Sequence, residues 1–230
     1  LYNGTNWTEV NDMNSARSGL SGAGTQAAGI VFGAAPSTSA LTENWNGTNW
    51  TEVNDLNDAR GNGAAAGTST AAIFFGGESP NTANTELWNG TNWTEVNNLN
   101  TARNSIAGFG ISTSAIANGG NENNICESWN GTNWTEVNNL TNNRTLAGAA
   151  GVSNTSGIIF GGGPGAKAFT ENWNGTNWTS VGGLNVGRLG LGGAGTSASA
   201  LGFGGATPPI VAATEEFSNT ALITKTISTS

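Results

Sequence analysis

One phrase recurs through the chain at nearly constant spacing, and it constrains the fold more than any other feature. NGTNWTEVN stands at Asn3–Asn11, Asn46–Asn54, Asn89–Asn97 and Asn130–Asn138, and returns as NGTNWTSVG at Asn174–Gly182. Aligned on the aromatic residue before each phrase, Tyr2, Trp45, Trp88, Trp129 and Trp173, with Phe217 as a degenerate sixth, the steps are 43, 43, 41, 44 and 44 residues. A fixed period of roughly 20–50 residues means stacked units, none of which buries its hydrophobic face alone.

The content of one period predicts strands. Thr42–Trp45 and Thr48–Val53 flank Asn46-Gly47, and Asn-Gly between two β-prone runs is a hairpin signal because both residues tolerate positive φ. A two-residue loop would pair Trp45 with Thr48 and Glu43 with Trp50, leaving the two indoles as diagonal neighbours on one face with Glu43. The small stretch Gly61–Thr68 and the apolar run Thr70–Phe75, stopped by Gly76-Gly77, supply two more strands. Scattered glycine and the lack of a sustained 3.6-residue stripe argue against helical repeats. Four strands of about five or six residues with their turns fill one period.

These units imply an all-β, five-bladed β-propeller with four-stranded antiparallel blades, whose neighbouring sheets pack through the aromatic pairs and whose Ala/Gly-rich first strands converge on the axis. The expected organisation is a single propeller over residues 1–230. Its repeats run at about 2–44, 45–87, 88–128, 129–172 and 173–216, with 217–230 as closing segment and tail. The first two strand types occur five times. The expected ring is therefore closed by N- and C-terminal strands sharing a blade, residues around Thr5–Val10 completing the blade begun by Leu189–Ser218 and removing an open edge. Ala221–Ile227 is a divergent alternative for the outermost strand; otherwise Ala221–Ser230 caps, packs outside or connects onward.

Composition excludes several functions. Charged residues are only 10% of the chain, against about 25% in ordinary globular proteins, so 34 Asn with Ser, Thr and backbone carry the polarity. A net charge of −8 with 7 Lys plus Arg excludes a nucleic-acid partner, which requires clustered cations. No apolar run reaches the ~18 residues of a membrane span, so no membrane insertion is expected. Histidine is absent and cysteine is single (Cys126), which removes every Ser-His or Cys-His triad and every multi-cysteine metal site. No metal, no cofactor and no catalytic residues are expected.

Phe-Gly-Gly, then Thr-Glu-x-Trp, then Asn-Trp-Thr-Glu-Val, then a loop to Ala-Arg, resembles the kelch repeat, with a double glycine, an aromatic on the third strand, a tryptophan on the fourth and an arginine entering the next blade. The doublets are Gly76-Gly77, Gly119-Gly120, Gly161-Gly162 and Gly204-Gly205, with Gly33-Ala34 a departure. The period is shorter than the ~50 residues of kelch, and five blades are fewer than the six typical of that family. The resemblance implies an interaction module. Copper oxidases of the family need a tyrosine–cysteine pair and histidine ligands, which this chain lacks. The repetitive Asn/Thr-rich style also resembles bacteriophage virion proteins, which would imply a virion or extracellular surface location.

The resemblance also marks five candidate ligand-binding residues, Arg17, Arg60, Arg103, Arg144 and Arg188, which the family places near one mouth of the channel. Converging guanidinium groups would suit a carboxylate, sulfate or acidic sugar. The competing role is ion pairing, since Glu43, Glu86, Glu127, Glu171 and Glu215 recur equally often. The tryptophan pairs fill the space between blades or stack on sugars. The ten Asn-Gly-Thr and Asn-Trp-Thr sequons read as hairpin chemistry. Residues that break the symmetry are Glu78, Glu122, Lys167 and Pro208-Pro209. The reading is a non-enzymatic binding or structural module, a surface or virion adhesin with a protein subunit or glycan as partner. A five-site multivalent lectin and a glycosidase-like hydrolase are the alternatives. Oligomeric state and ligand identity stay open.

Overall fold

The computed structural model describes residues 1–35, 37–78, 80–218 and 225–227. Among these residues the protein is all β, with no helix. Its strands form five four-stranded antiparallel blades, each in simple chain order, in agreement with the five-bladed propeller expected from the repeat. The blades are β1 (Ser21–Gly24), β2 (Gly29–Ala34), β3 (Ser39–Trp45) and β4 (Trp50–Val53); β5 (Ala64–Thr68), β6 (Ala71–Phe75), β7 (Thr85–Trp88) and β8 (Trp93–Val96); β9 (Ala107–Ile111), β10 (Ser114–Asn118), β11 (Cys126–Trp129) and β12 (Trp134–Val137); β13 (Gly148–Ser153), β14 (Ser156–Phe160), β15 (Thr170–Trp173) and β16 (Trp178–Val181); β17 (Gly192–Gly195), β18 (Ser199–Phe203), β19 (Thr214–Ser218) and β20 (Lys225–Ile227).

The chain divides into two compact units. One comprises Leu1–Asn104 with Ile111–Thr113 and Gly131–Trp134, and the other Ser105–Gly110, Ser114–Asn130 and Thr135–Ser230. The first holds blades β1–β4 and β5–β8 and the second blades β13–β16 and β17–β20. The third blade lies mostly in the second unit, with its two hairpin tips in the first.

In the first unit, Ile30 and Phe32 of β2 pack against Ala72, Phe74, Trp88 and Trp93 of the next blade, with Leu56 between them. In the second, Ile158 and Phe160 of β14 meet Leu191 and Ala200. First strands run side by side, β1 beside β5 and β13 beside β17. Their small residues have a steric reason, since a Cβ on Gly193 would lie 2.4 Å from the Ala149 carbonyl oxygen. Glycine is needed again where each second strand stops. Gly33, Gly119 and Gly161 have φ of 72°, 61° and 67°, and a Cβ there would lie 2.3, 2.5 and 2.7 Å from the carbonyl oxygens of Arg60, Arg144 and Arg188. At Gly33-Ala34 only the second glycine is replaced, and Ala34 continues β2 through a bulge to pair with Ser39.

Two expectations are corrected. The phrase does not form a two-residue hairpin: Trp45 pairs directly with Trp50, Trp88 with Trp93 and Trp173 with Trp178. The reason is an Asx turn. Asn46 Oδ1 accepts from the Thr48 and Asn49 backbone N–H groups at 2.9 Å each, and Gly47 takes φ of 93°, which makes the loop four residues. The indoles are thus opposed rather than diagonal, at 5.3 Å and 44° for Trp45–Trp50. Nor does the N-terminal phrase complete the fifth blade. Its outer strand is β20, in register Thr214↔Ile227, Glu215↔Thr226 and Glu216↔Lys225, whereas Tyr2 and Trp7 bridge each other. A strand that follows β19 in sequence needs only a short loop to pair, and short loops close at lower entropy cost than long ones. The remainder of the expected tail, residues 219–224 and 228–230, lies outside the described residues.

Candidate functional site

The candidate arginines lie inside the fold, and four of them pair with a repeat glutamate. Arg60, Arg103, Arg144 and Arg188 are each 0–1% exposed, and the Arg17 side chain is 6% exposed. Arg17 Nη1 meets Glu43 Oε1 at 2.9 Å, Arg144 Nη2 meets Glu171 Oε1 at 2.8 Å, Arg188 Nη2 meets Glu215 Oε1 at 2.7 Å, and Arg60 Nη1 pairs with Glu86. The guanidinium also donates to main-chain carbonyls: Arg144 Nη1 to Gly161 and Phe169 at 2.8 and 2.6 Å, and Arg188 Nη1 to Gly204 and Ala213 at 2.7 and 2.8 Å. Burial pushes Arg144 below the usual arginine value, while the hydrogen bond and charge of Glu171 push back. The ion-pairing role is present at Arg17, Arg60, Arg144 and Arg188, as expected of a guanidinium that must be matched inside the protein.

The arginine backbone does further work. Gly77, Gly120 and Gly162 N–H groups donate to the carbonyls of Arg103, Arg144 and Arg188 at 2.9, 2.8 and 2.7 Å. Each such arginine is therefore held by the glycine stop of the preceding blade.

Sequence reasoning missed the partner of the second carboxylate oxygen. Glu43 Oε2 accepts from Asn14 N and Nδ2, Glu86 Oε2 from Asn57 N and Nδ2, Glu171 Oε2 from Thr141 N and Oγ1, and Glu215 Oε2 from Asn185 N, all at 2.7–2.9 Å. These residues stand three places before the arginine in every repeat, as Asn14, Asn57, Asn100, Thr141 and Asn185. That recurrence was the available signal. The phrase's last Asn is a clamp as well: Asn11, Asn54, Asn97 and Asn138 Nδ2 each donate to a Thr carbonyl and an Asn Oδ1 of the next phrase at 2.8–3.0 Å.

The two indoles of a pair have different partners. Third-strand Trp45, Trp88 and Trp173 donate Nε1 to carbonyls of Gln26, Ser69 and Asn154, closing the first hairpin of their own blade. Fourth-strand Trp93 and Trp134 donate at 3.1 Å to Thr42 and Thr85 Oγ1 of the preceding blade. They pack edge-on against Phe32 at 4.7 Å and Phe75 at 4.8 Å. In the second unit, Cys126 stands at this threonine's position and Trp178 Nε1 has no hydrogen-bond partner. Cys126→Thr is expected to supply the acceptor and raise stability by about 1 kcal/mol. An unfolding midpoint unchanged or lowered in denaturant would show that Trp178 gains nothing from an oxygen there.

Among the described residues, a cleft in the second unit is lined by Phe160, Thr170, Leu184, Ala200, Gly202 and Phe217. In the repeat these are the counterparts of Phe32, Thr42, Leu56, Ala72, Phe74 and Trp88, which surround Trp93. Two residues differ from that earlier seat: Gly202 stands at the position of Phe74, and no tryptophan follows Trp178 in the sequence.

The nonrepeated polar groups follow the glycine stops. Asn62 Nδ2 donates to Glu78 Oε1 at 2.9 Å. Lys167 Nζ donates to the Asn143 carbonyl at 2.8 Å. Burial and the Arg144 charge lower the Lys167 pKa, opposed by Glu122 and Glu171. Pro208-Pro209 lies in the corresponding loop after Gly204-Gly205. Among the described residues no cluster of three or more Asp, Glu, Cys or His has metal-binding spacing.

No protein-family model matches the chain, and no curated protein matches it. Among solved structures it is similar to YjhT, with 12% identity, a TM-score of 0.70, and coverage of 85% of this chain and 75% of that one. At that identity the likeness is one of fold alone.

Proposed function

We propose that the protein is a non-catalytic interaction module whose partner is a protein subunit. The observation that supports this reading is the internal use of the groups that recur. The Arg–Glu pairs are buried, the fourth-strand indoles of Trp93 and Trp134 are bonded to the preceding blade, and the turn Asn side chains cap their own loops. Five equivalent glycan sites built from these groups would have to break those bonds. Recognition then falls to nonrepeated places: the loops after the glycine stops and the open cleft. The same symmetry argument disfavours hydrolysis, which needs two carboxyl groups in unlike environments, about 5–10 Å apart. A surface or virion adhesin is one setting in which such a module acts.

A glycan array and a panel of chromogenic glycosides test this reading on the intact chain. The expected results are no saturable glycan binding and no turnover. Binding of one glycan class at a stoichiometry near five would establish the multivalent lectin instead. Turnover abolished by Glu122→Gln would establish an enzyme.

A further inference from the structure

The phrase that builds the hairpins also carries a chemical liability. An asparagine followed by glycine can lose its side-chain amide when the glycine nitrogen attacks Cγ, because glycine has no side chain to obstruct the approach. Asn3-Gly4, Asn46-Gly47, Asn89-Gly90 and Asn174-Gly175 offer the same local chemistry. Each follows an aromatic residue, continues as Thr-Asn-Trp-Thr and is exposed through all four turn residues. The glycines share one conformation, with φ of 92°, 93°, 94° and 92°. Among the described residues their N–H groups donate to nothing.

The support of the turn differs between copies. In all four the asparagine Oδ1 accepts from the two N–H groups that follow the glycine: Thr5 and Asn6 for Asn3, Thr48 and Asn49 for Asn46, Thr91 and Asn92 for Asn89, and Thr176 and Asn177 for Asn174, at 2.8–2.9 Å. The second of these donors belongs to the Thr–Asn peptide unit. In three copies the carbonyl of that same unit is held from outside: Thr48 by Asn11 Nδ2, Thr91 by Asn54 Nδ2 and Thr176 by Asn138 Nδ2, at 2.9–3.0 Å. The clamping amide also reaches Oδ1 of Asn49, Asn92 or Asn177 at 2.8–2.9 Å. Each of these clamps lies within one compact unit. Among the described residues no side chain from outside the first phrase bonds to Thr5 or Asn6.

We propose that Asn3 is a deamidation site of the folded protein, and that Asn11, Asn54 and Asn138 shield the Asn-Gly pairs of the phrases they clamp. Ring closure requires the asparagine to turn about Cα–C and Cα–Cβ until the glycine nitrogen stands over Cγ, so it proceeds from turns that have opened locally. The Gly4 N–H gives its proton to hydroxide, the N–Cγ bond forms, and the Cγ–Nδ2 bond breaks with release of ammonia. Water then opens the cyclic imide at either carbonyl, leaving aspartate or isoaspartate and adding one negative charge. A clamp on the peptide unit that caps the turn lowers the open population. Two hydrogen bonds of ordinary net strength lower it about tenfold.

Peptide mapping of the intact folded chain, held at mildly alkaline pH, tests this. Trypsin places each of the four pairs in its own peptide, because it cuts after Arg17, Arg60, Arg103, Lys167 and Arg188. Asn3 is expected to deamidate about tenfold faster than Asn46, Asn89 and Asn174. Asn54→Ala is expected to raise the rate at Asn89 about tenfold and to leave Asn46 and Asn174 unchanged. Asn138→Ala should do the same at Asn174, and it decides the case if Asn54→Ala does not fold. In urea the four rates of the wild-type chain should converge, since their flanking sequences are alike. Equal rates at Asn3 and the three clamped sites in the folded chain overturn the proposal. So does a clamp variant that speeds every site together or none, and so does a rate order that persists in urea.

Discussion

Arg144→Ala is expected to destabilise the protein by about 3–5 kcal/mol, the cost of leaving a buried carboxylate without its partner. Glu171 would keep the Thr141 bonds at Oε2 but lose the cation at Oε1, and the carbonyls of Gly161 and Phe169 would lose their donor. Glu171→Ala should cost a similar amount, because the guanidinium then stays buried with only carbonyl acceptors. The double variant Arg144→Met/Glu171→Leu should cost less than either single change, since no buried charge remains. Arg17→Ala should cost less than Arg144→Ala. Arg17 reaches Glu43 through Nη1, while its Nε and Nη2 have no partner. Denaturant unfolding at constant m measures all four. If Arg144→Ala fell within about 0.5 kcal/mol of wild type, in the range of ordinary surface changes, the ion pair would not be a support of the fold and the arginine would need another purpose.

Trp134→Ala is the second large effect, expected at about 3–5 kcal/mol for emptying an aromatic site in a packed core. The indole lies 4.8 Å from the Phe75 ring at 62°, and its Nε1 donates to Thr85 Oγ1 at 3.1 Å. Both partners are fully buried and lose contact together. Trp134→Phe retains most of the ring contact and loses the hydrogen bond, so its cost should be smaller, near 1–2 kcal/mol. Trp7→Ala, at the exposed copy of the same phrase, should fall within about 0.5 kcal/mol of wild type. Equal losses at Trp134 and Trp7 would mean that burial does not separate the two, and that Trp7 is seated within its own chain.

The contrast between these tryptophans shows where sequence reading stops. Trp7, Trp50, Trp93, Trp134 and Trp178 occupy one position in one phrase, so pattern alone assigns them one role. Their environments differ because the preceding blade differs: Thr42 and Thr85 accept hydrogen bonds, Cys126 stands at the third such position, and Thr170 faces the open cleft. The arginines present the opposite case. Once-per-repeat arginine and glutamate already indicated pairing, and the offsets of 26 or 27 residues in Arg17–Glu43, Arg60–Glu86, Arg144–Glu171 and Arg188–Glu215 repeat that spacing in space. The Asn or Thr three places before each arginine went unread because a polar residue in a loop needs no partner until the loop is seen to lie against a buried carboxylate.

By itself the sequence determined what local chemistry controls: strands rather than helices, glycine at the stops, an Asn-Gly turn in each phrase and five blades from five copies. These follow from backbone preference and the counting of repeats, which act over a few residues. The tertiary structure decided the rest. An Asn side chain folding onto its own backbone set the hairpin at four residues and put the indoles directly opposite each other, tilted by 44° in Trp45–Trp50. Pairing to a strand adjacent in sequence gave the fifth blade its own β20. Burial placed four of the five candidate arginines, Arg17, Arg60, Arg144 and Arg188, in ion pairs. Each of these depends on which groups meet and how much water remains between them, and a repeated phrase carries no record of its neighbours.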